Sequence, residues 1–152
     1  MELSPEAIAR YRELERTAPI RPRSVWVRDR FGSADAMLLC GTIGAEFDTW
    51  QRRLAALSAA DAFFSQRIGL RAVELVMDEL ESRLRAAVES EGGRLLPRWS
   101  PGYPGHPLEL SREILARLDA SRRIGVSFTD SQLLVPSKTV TAVCEIVPLP
   151  DC

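Results

Sequence analysis

Hydrophobic positions change their period several times along the chain, and each change marks an element. Ser4-Pro5-Glu6 reads as an N-cap, a proline at the first helical position and an acid that complements the helix dipole. Ile8, Tyr11, Leu14 and Ala18 then fall on one helical face, and Pro19 and Pro22 end that helix. Loose alternation around Val25, Val27 and Phe31 predicts a strand over 24–31, followed by a turn at Gly32-Ser33. The apolar run 36–40 predicts a buried strand, closed by Gly41-Thr42-Ile43-Gly44. From residue 45 the period is helical, with Phe47, Trp50, Leu54 and Leu57 three or four apart. Ser58-Ala59-Ala60-Asp61 reads as a break and a new cap, and a long helix then occupies 62–90. Its main stripe is Leu70, Val73, Met77, Leu80 and Leu84. Ile68, Ala72 and Leu75 lie on the opposite side, which predicts a middle section buried all round.

Glu91-Gly92-Gly93 ends the long helix in the usual left-handed manner. A short strand at 94–96 and a helix at 107–118 follow. The remainder alternates: Ile124, Val126 and Phe128, then Leu133 and Val135, then Val140, Ala142, Cys144 and Ile146, with turns at 129–131 and 136–137. That tail predicts an antiparallel meander, here taken to include residues 123–147. Helices grouped before a run of strands indicate an α+β fold, with a long central helix and flanking helices packed on an antiparallel sheet.

Composition narrows the class without naming it. A chain of 152 residues is most simply one domain with a proper core. Hydrophobic content of 45% and charged content of 27% are ordinary for a globular protein. A net charge of -1 excludes general attraction to nucleic acid or to a membrane surface. No apolar run reaches the ~18 residues of a membrane span. The N-terminal residues lack the basic and apolar regions of a secretory signal. The three cysteines, Cys40, Cys144 and Cys152, form neither a zinc pattern nor a disulfide framework. A reducing cytoplasm is the simplest setting.

The missing chemistry is informative. A single histidine, His106, leaves no His-rich metal site and little scope for a triad. It reads as a loop or cap residue, or alternatively as an acid–base or cobalt-facing group. There is no G-x-G-x-x-G, P-loop or G-x-S-x-G. Gly41-Thr42-Ile43-Gly44 is either a tight turn or a backbone anion site. Ser137-Lys138-Thr139 is either a solvated turn or a cluster that meets phosphate or ribose.

The positive signal lies at Arg98-Trp99-Ser100-Pro101-Gly102-Tyr103-Pro104. Two prolines fix φ and remove donors, and Gly102 lets the chain turn between them. The result is a stiff loop carrying a guanidinium, an indole, a hydroxyl and a phenol. Arginine clamps a carboxylate bidentately, and aromatic faces stack on bases or attract cations. Such a loop is either the wall of a pocket for a zwitterionic or nucleoside-like molecule, or a connector whose aromatics plug the core. Glu74, in the middle of the long helix, is either paired with Arg71 or Arg67, or accepts a ligand ammonium opposite Arg98.

In order along the chain, Arg98-x-Ser100-Pro101-Gly102-Tyr103, a helix, Ile124-Gly125-Val126-x-x-Thr129-x-Ser131 and 136–142 (Pro-Ser-Lys-Thr-Val-Thr-Ala) resemble the activation domain of vitamin B12-dependent methionine synthase. The segment 38–48 resembles the same family's strand, T-x-G turn and helix start, so the likeness covers roughly 36–147. It is similar above all to the small stand-alone proteins of that family. The resemblance implies a twisted antiparallel sheet and a shallow site for S-adenosylmethionine. By the same resemblance, Arg98, Ser100, Gly102 and Tyr103 belong to the binding loop, with Glu74 at the matching place on the long helix. No residue of this chain is implied to be catalytic or to hold a metal; the reactive groups are supplied by cofactors. The family's role is repair: it presents S-adenosylmethionine while an electron donor, such as a flavodoxin, reduces inactive cob(II)alamin. This chain has no D-x-H-x-x-G, so cobalamin would come from a partner, either a methionine synthase subunit or another corrinoid protein. An interaction module of the same fold without ligand binding is the alternative. Two departures from the family stand out. Cys144 lies near the place of an aromatic residue on the last strand, and an acidic ligand-binding residue near the N-terminus has no counterpart.

Overall fold

The computed structural model describes residues 2–150. In chain order the elements are α1 (Pro5–Thr17), β1 (Arg23–Phe31), β2 (Ala34–Thr42), α2 (Ala45–Leu57), α3 (Ala59–Ser90), β3 (Gly93–Leu95), α4 (Leu110–Leu118), α5 (Ala120–Ile124), β4 (Ser127–Phe128), β5 (Leu134–Val135) and β6 (Thr139–Pro148). This is the α+β architecture that the pattern predicts. Ser4 caps α1 by accepting from the Ala7 amide at 3.1 Å, and Ser58 caps α3 by accepting from Asp61 at 3.2 Å.

Strands β1 and β2 form a hairpin through Gly32-Ser33, and β6 lies between β2 and β3, giving the antiparallel order β1-β2-β6-β3. β2 is buried on both faces, which is why it reads as an unbroken apolar run rather than an alternation. Its Met37 and Leu39 meet Met77, Leu80, Leu84 and Val88 of α3. Its Ala36, Leu38 and Cys40 meet Ile114, Leu115 and Leu118 of α4. The sheet is therefore sandwiched between the long helix and a shorter one. A third cluster, around Phe47, Phe64, Ile68 and Val73, binds α1 and α2 to the first half of α3. There the helices touch closely at Gly69, where a Cβ would lie 2.6 Å from the Phe47 ring.

Three expectations are corrected. The middle of α3 is buried on one face only: Val73, Met77 and Leu80 are buried, while Leu70 and Leu75 are exposed. Leu70, expected in the main stripe, is left out of the core, whereas Ile68, expected opposite it, is buried in the cluster with Phe47 and Leu14. The helix expected over 107–118 begins only at Leu110, after a turn at 108–109. The tail is not one meander. Residues Ala120–Ile124 form a short helix, and β4 and β5 pair in a separate two-stranded sheet, so only β6 joins the main one. Ile124 and Val126 do point into the core, but from a helix end and the coil after it, with a left-handed Gly125 between them.

Candidate functional site

After β3 the chain continues alongside β6. The Leu96 amide donates to the Glu145 carbonyl at 2.8 Å, and Trp99 exchanges both backbone hydrogen bonds with Val143, at 3.0 and 2.8 Å. Pro97, with no N–H to offer, occupies the interruption between these contacts. Because successive side chains on an extended segment point to opposite faces, Arg98 turns toward α3 and Trp99 toward the α4 side. The Trp99 ring stacks on His106 at 3.9 Å and tilts against Phe31 at 5.9 Å. His106 is thus a packing partner of the loop. Gly102, at φ +102°, donates to the His106 carbonyl at 2.7 Å, and the His106 amide returns to Tyr103 at 2.9 Å. These bonds close the tight loop that the prolines and glycine predict.

The loop roofs a shallow cleft of about 470 Å³ lined by Glu74, Glu81, Pro97, Arg98, Trp99, Ser100 and Tyr103. The volume falls within the ~300–1,000 Å³ usual for ligand pockets. Tyr103 lines the cleft and is two-thirds exposed. Gly102 shapes the loop without lining the cleft. The structure therefore gathers Arg98, Ser100, Tyr103 and Glu74 in one place. The loop is both wall and plug: Tyr103 faces solvent while Trp99 packs against the core.

Arg98 does not stand across empty space from Glu74. Its Nη2 meets Glu74 Oε2 at 2.6 Å, and its Nη1 meets Asp78 Oδ1 at 2.9 Å and Glu81 Oε1 at 3.4 Å. Glu74 thus pairs with the loop rather than with a neighbour on its own helix. Glu81 also accepts from the Arg98 amide at 3.3 Å and from Arg85 Nη2 at 2.8 Å. Burial pushes the Glu81 carboxyl up. The Arg85 hydrogen bond, the Arg98 charge and the Arg98 amide outweigh that and hold it below its ordinary value. Beneath them, the buried Cys144 thiol lies 3.9 Å from Glu81 and is pushed up to about 12, by burial first and by the Glu81 charge second. No ring rises into the cleft from that position of β6.

Asp78 and Glu81 are the site residues that the sequence reading missed. Their signal was present: with Glu74 they stand four and seven positions along one face of α3.

The other candidate motifs take structural roles. Gly41 and Thr42 end β2, and the Thr42 hydroxyl accepts from the Gly44 amide at 3.2 Å. Ser137-Lys138-Thr139 is neither a solvated turn nor an open phosphate cradle. Asp48 holds Ser137 through its amide and hydroxyl at 2.9 and 2.6 Å, and Thr139 is buried against Thr42 at 2.9 Å. Lys138 is buried with its amine 3.4 Å from Gln51, and burial lowers its pKa.

No known family model matches the chain, and no curated protein sequence matches it. Its architecture is nonetheless a known one: a long helix and a shorter helix on opposite faces of a four-stranded antiparallel sheet. Among solved structures it is similar to a crystal structure of the MetH reactivation domain bound to AdoHcy, with a TM-score of 0.71 over 97% of this chain and 15% sequence identity. The chain spans 65% of the length of that structure. The molecule therefore has the fold of a MetH reactivation domain, the fold that the sequence resemblance implies. Among the described residues, no helix is long and apolar enough to cross a membrane.

Proposed function

We propose that this chain binds S-adenosylmethionine in the cleft under the Arg98 loop and serves as a reactivation component for a cobalamin-dependent methionine synthase. The observation that carries this reading is the coincidence of two things. The fold matches a reactivation domain whose structure holds AdoHcy, and the cleft sits where the R-x-x-x-G-Y loop crosses the long helix. The residues fit the ligand's charges. Arg98 suits its carboxylate, Glu74 its ammonium, and the exposed Tyr103 ring its sulfonium or adenine. When bound, the ligand supplies an activated methyl group. The chain's own work is to fix the amino-acid end and to leave the methyl end facing outward from a shallow site. The corrinoid belongs to a partner protein in this reading, and the electron to a reductant such as a flavodoxin.

Titration calorimetry with S-adenosylmethionine tests the assignment. Binding is expected, and Arg98→Ala should weaken it by about 2–4 kcal/mol, with Arg98→Lys intermediate because lysine lacks the fork. A folded Arg98→Ala protein that binds as tightly as the parent sinks the site. A second reading, an interaction module that no longer takes the ligand, is favoured by one observation: Arg98 already meets three carboxylates. Absence of binding at millimolar ligand selects it. Service to a different corrinoid methyltransferase is the remaining option, and is told apart by which corrinoid protein co-purifies.

A further inference from the structure

A guanidinium can meet a carboxylate through its Nη1–Nη2 end or through its Nε–Nη2 side, and its neighbours decide which is presented. In Arg98 the Nη1 corner is turned to α3, 2.9 Å from Asp78 and 3.4 Å from Glu81. The Nε–Nη2 side is engaged only at Nη2, by Glu74. Among the described residues no acceptor meets Nε, and no side-chain nitrogen is both buried and without a partner, so Nε is open to solvent. Glu74 is 55% exposed, and can leave Nη2 for a ligand ammonium. Glu81 is the fixed point beneath them. It is 14% exposed, its Oε1 accepts from both the Arg98 amide and Nη1, and its Oε2 accepts from Arg85. One carboxylate therefore grips Arg98 at the main chain and at the side-chain tip.

We propose that Glu81 is a positioning residue: it holds Arg98 so that the Nε–Nη2 side is presented to the cleft, and it thereby sets the cleft's preference for a ligand that carries a carboxylate. The proposal rests on the ligand reading above, and Glu81 acts in it only through Arg98. A free arginine side chain gives up its rotamer freedom when a ligand binds; one held by Glu81 has given it up on folding. Glu81 does this from the corner that the ligand does not use. Arg85 draws on the same carboxylate, so Glu81 fixes Arg98 without spending its whole charge on it. Both terminal contacts of Glu81 come from elements of the rigid helix and the proline-locked loop, which keeps the direction of the fork constant.

Two readouts separate positioning from mere support of the fold. The first is calorimetric affinity for S-adenosylmethionine and for its decarboxylated form. Glu81→Gln should weaken S-adenosylmethionine by about 5–10-fold, as for the loss of one of two charge-assisted bonds, and the decarboxylated form by less. Loss of a negative charge alone acts in the reverse order, because the decarboxylated form carries the greater positive charge. Equal losses, the reverse order, or tighter binding of S-adenosylmethionine by Glu81→Gln overturns the proposal. The second readout needs no ligand. In ¹⁵N NMR the Nη1 and Nη2 signals of Arg98 should be separate in the parent and exchange faster in Glu81→Gln; an unchanged exchange rate overturns the proposal. If Glu81→Gln does not fold, Arg85→Gln takes its place, since that side chain is 37% exposed and anchors Glu81 from the other side. Arg98 should then exchange faster than in Arg83→Gln, which removes the same charge from an exposed position nearby; equal rates overturn the proposal. If the parent binds no S-adenosylmethionine, the ligand reading falls, and the NMR exchange rates still decide whether Glu81 fixes Arg98.

Discussion

Arg98 and Glu81 hold each other in place, and their pairing ties the loop to the helix. Removing the carboxylate leaves two guanidinium groups without their least exposed acceptor. Glu81→Gln should therefore cost about 1–3 kcal/mol at neutral pH. The pH dependence has a definite sign. The folded-state pKa of Glu81 is depressed, so its contribution is complete above the ordinary carboxyl value of 4.5 and is lost as pH falls through the lower folded value. Thermal melts between pH 7 and pH 3 should show Glu81→Gln less stable than the parent at pH 7, with the gap closing in acid. A gap that stays constant would mean the carboxylate's charge is not what stabilises the junction. At this scale the sequence was half legible. Arg98 and Glu74 stood out because a guanidinium in a proline-locked loop and an acid amid apolar neighbours both demand explanation. Asp78 and Glu81 did not, since charges at helical spacing ordinarily mark a solvated face. Only the path of the loop over that face gives them a role.

α3 shows what periodicity can and cannot tell. Its length, its cap and the stripe of Val73, Met77, Leu80 and Leu84 follow from the sequence, because the sheet selects positions three and four apart. Leu70 and Leu75 misled, one expected in the stripe and one opposite it, since a large apolar residue on a surface is common and carries no signature of its exposure. Met77→Ala should cost about 2–5 kcal/mol in urea unfolding, as expected for a cavity at a fully buried site. Leu75→Ala, two residues earlier, should stay within about 0.5 kcal/mol of the parent. Equal losses at the two positions would restore the all-round burial that the structure denies. The tail failed for a related reason. Ile124 and Val126 are core residues, and alternation of apolar residues fits a helix end followed by coil as well as it fits a strand.

For the molecule as a whole, burial of Lys138 between α2 and α3 is a standing electrostatic cost. Its folded pKa lies below the 10.5 of the free amine, so the penalty is full at neutral pH and fades as pH rises through the folded value toward 10.5. Lys138→Met should raise the melting temperature at pH 7 and lose that advantage in alkali; a lower melting temperature at pH 7 would show that the Gln51 contact outweighs the burial. The isolated chain is expected not to methylate homocysteine unless a corrinoid protein is added, as an activity assay with and without that partner would show. Fold class was legible from the order of helices and strands, but strand order was not. Nothing in local periodicity says that β6 enters between β2 and β3. That placement has a consequence during synthesis. When β2 leaves the ribosome its only available neighbour is β1, since Met37 must wait for Cys144 to appear opposite it. Until then α3 and α4 have half a sheet to cover, and Met77 and Leu80 can reach Met37 and Leu39 of β2 but not Ala142 and Cys144 of β6. The nascent chain therefore carries part of its core uncovered until its last strand is made, and a stalled or shortened product is the form that chaperones would be most called on to hold.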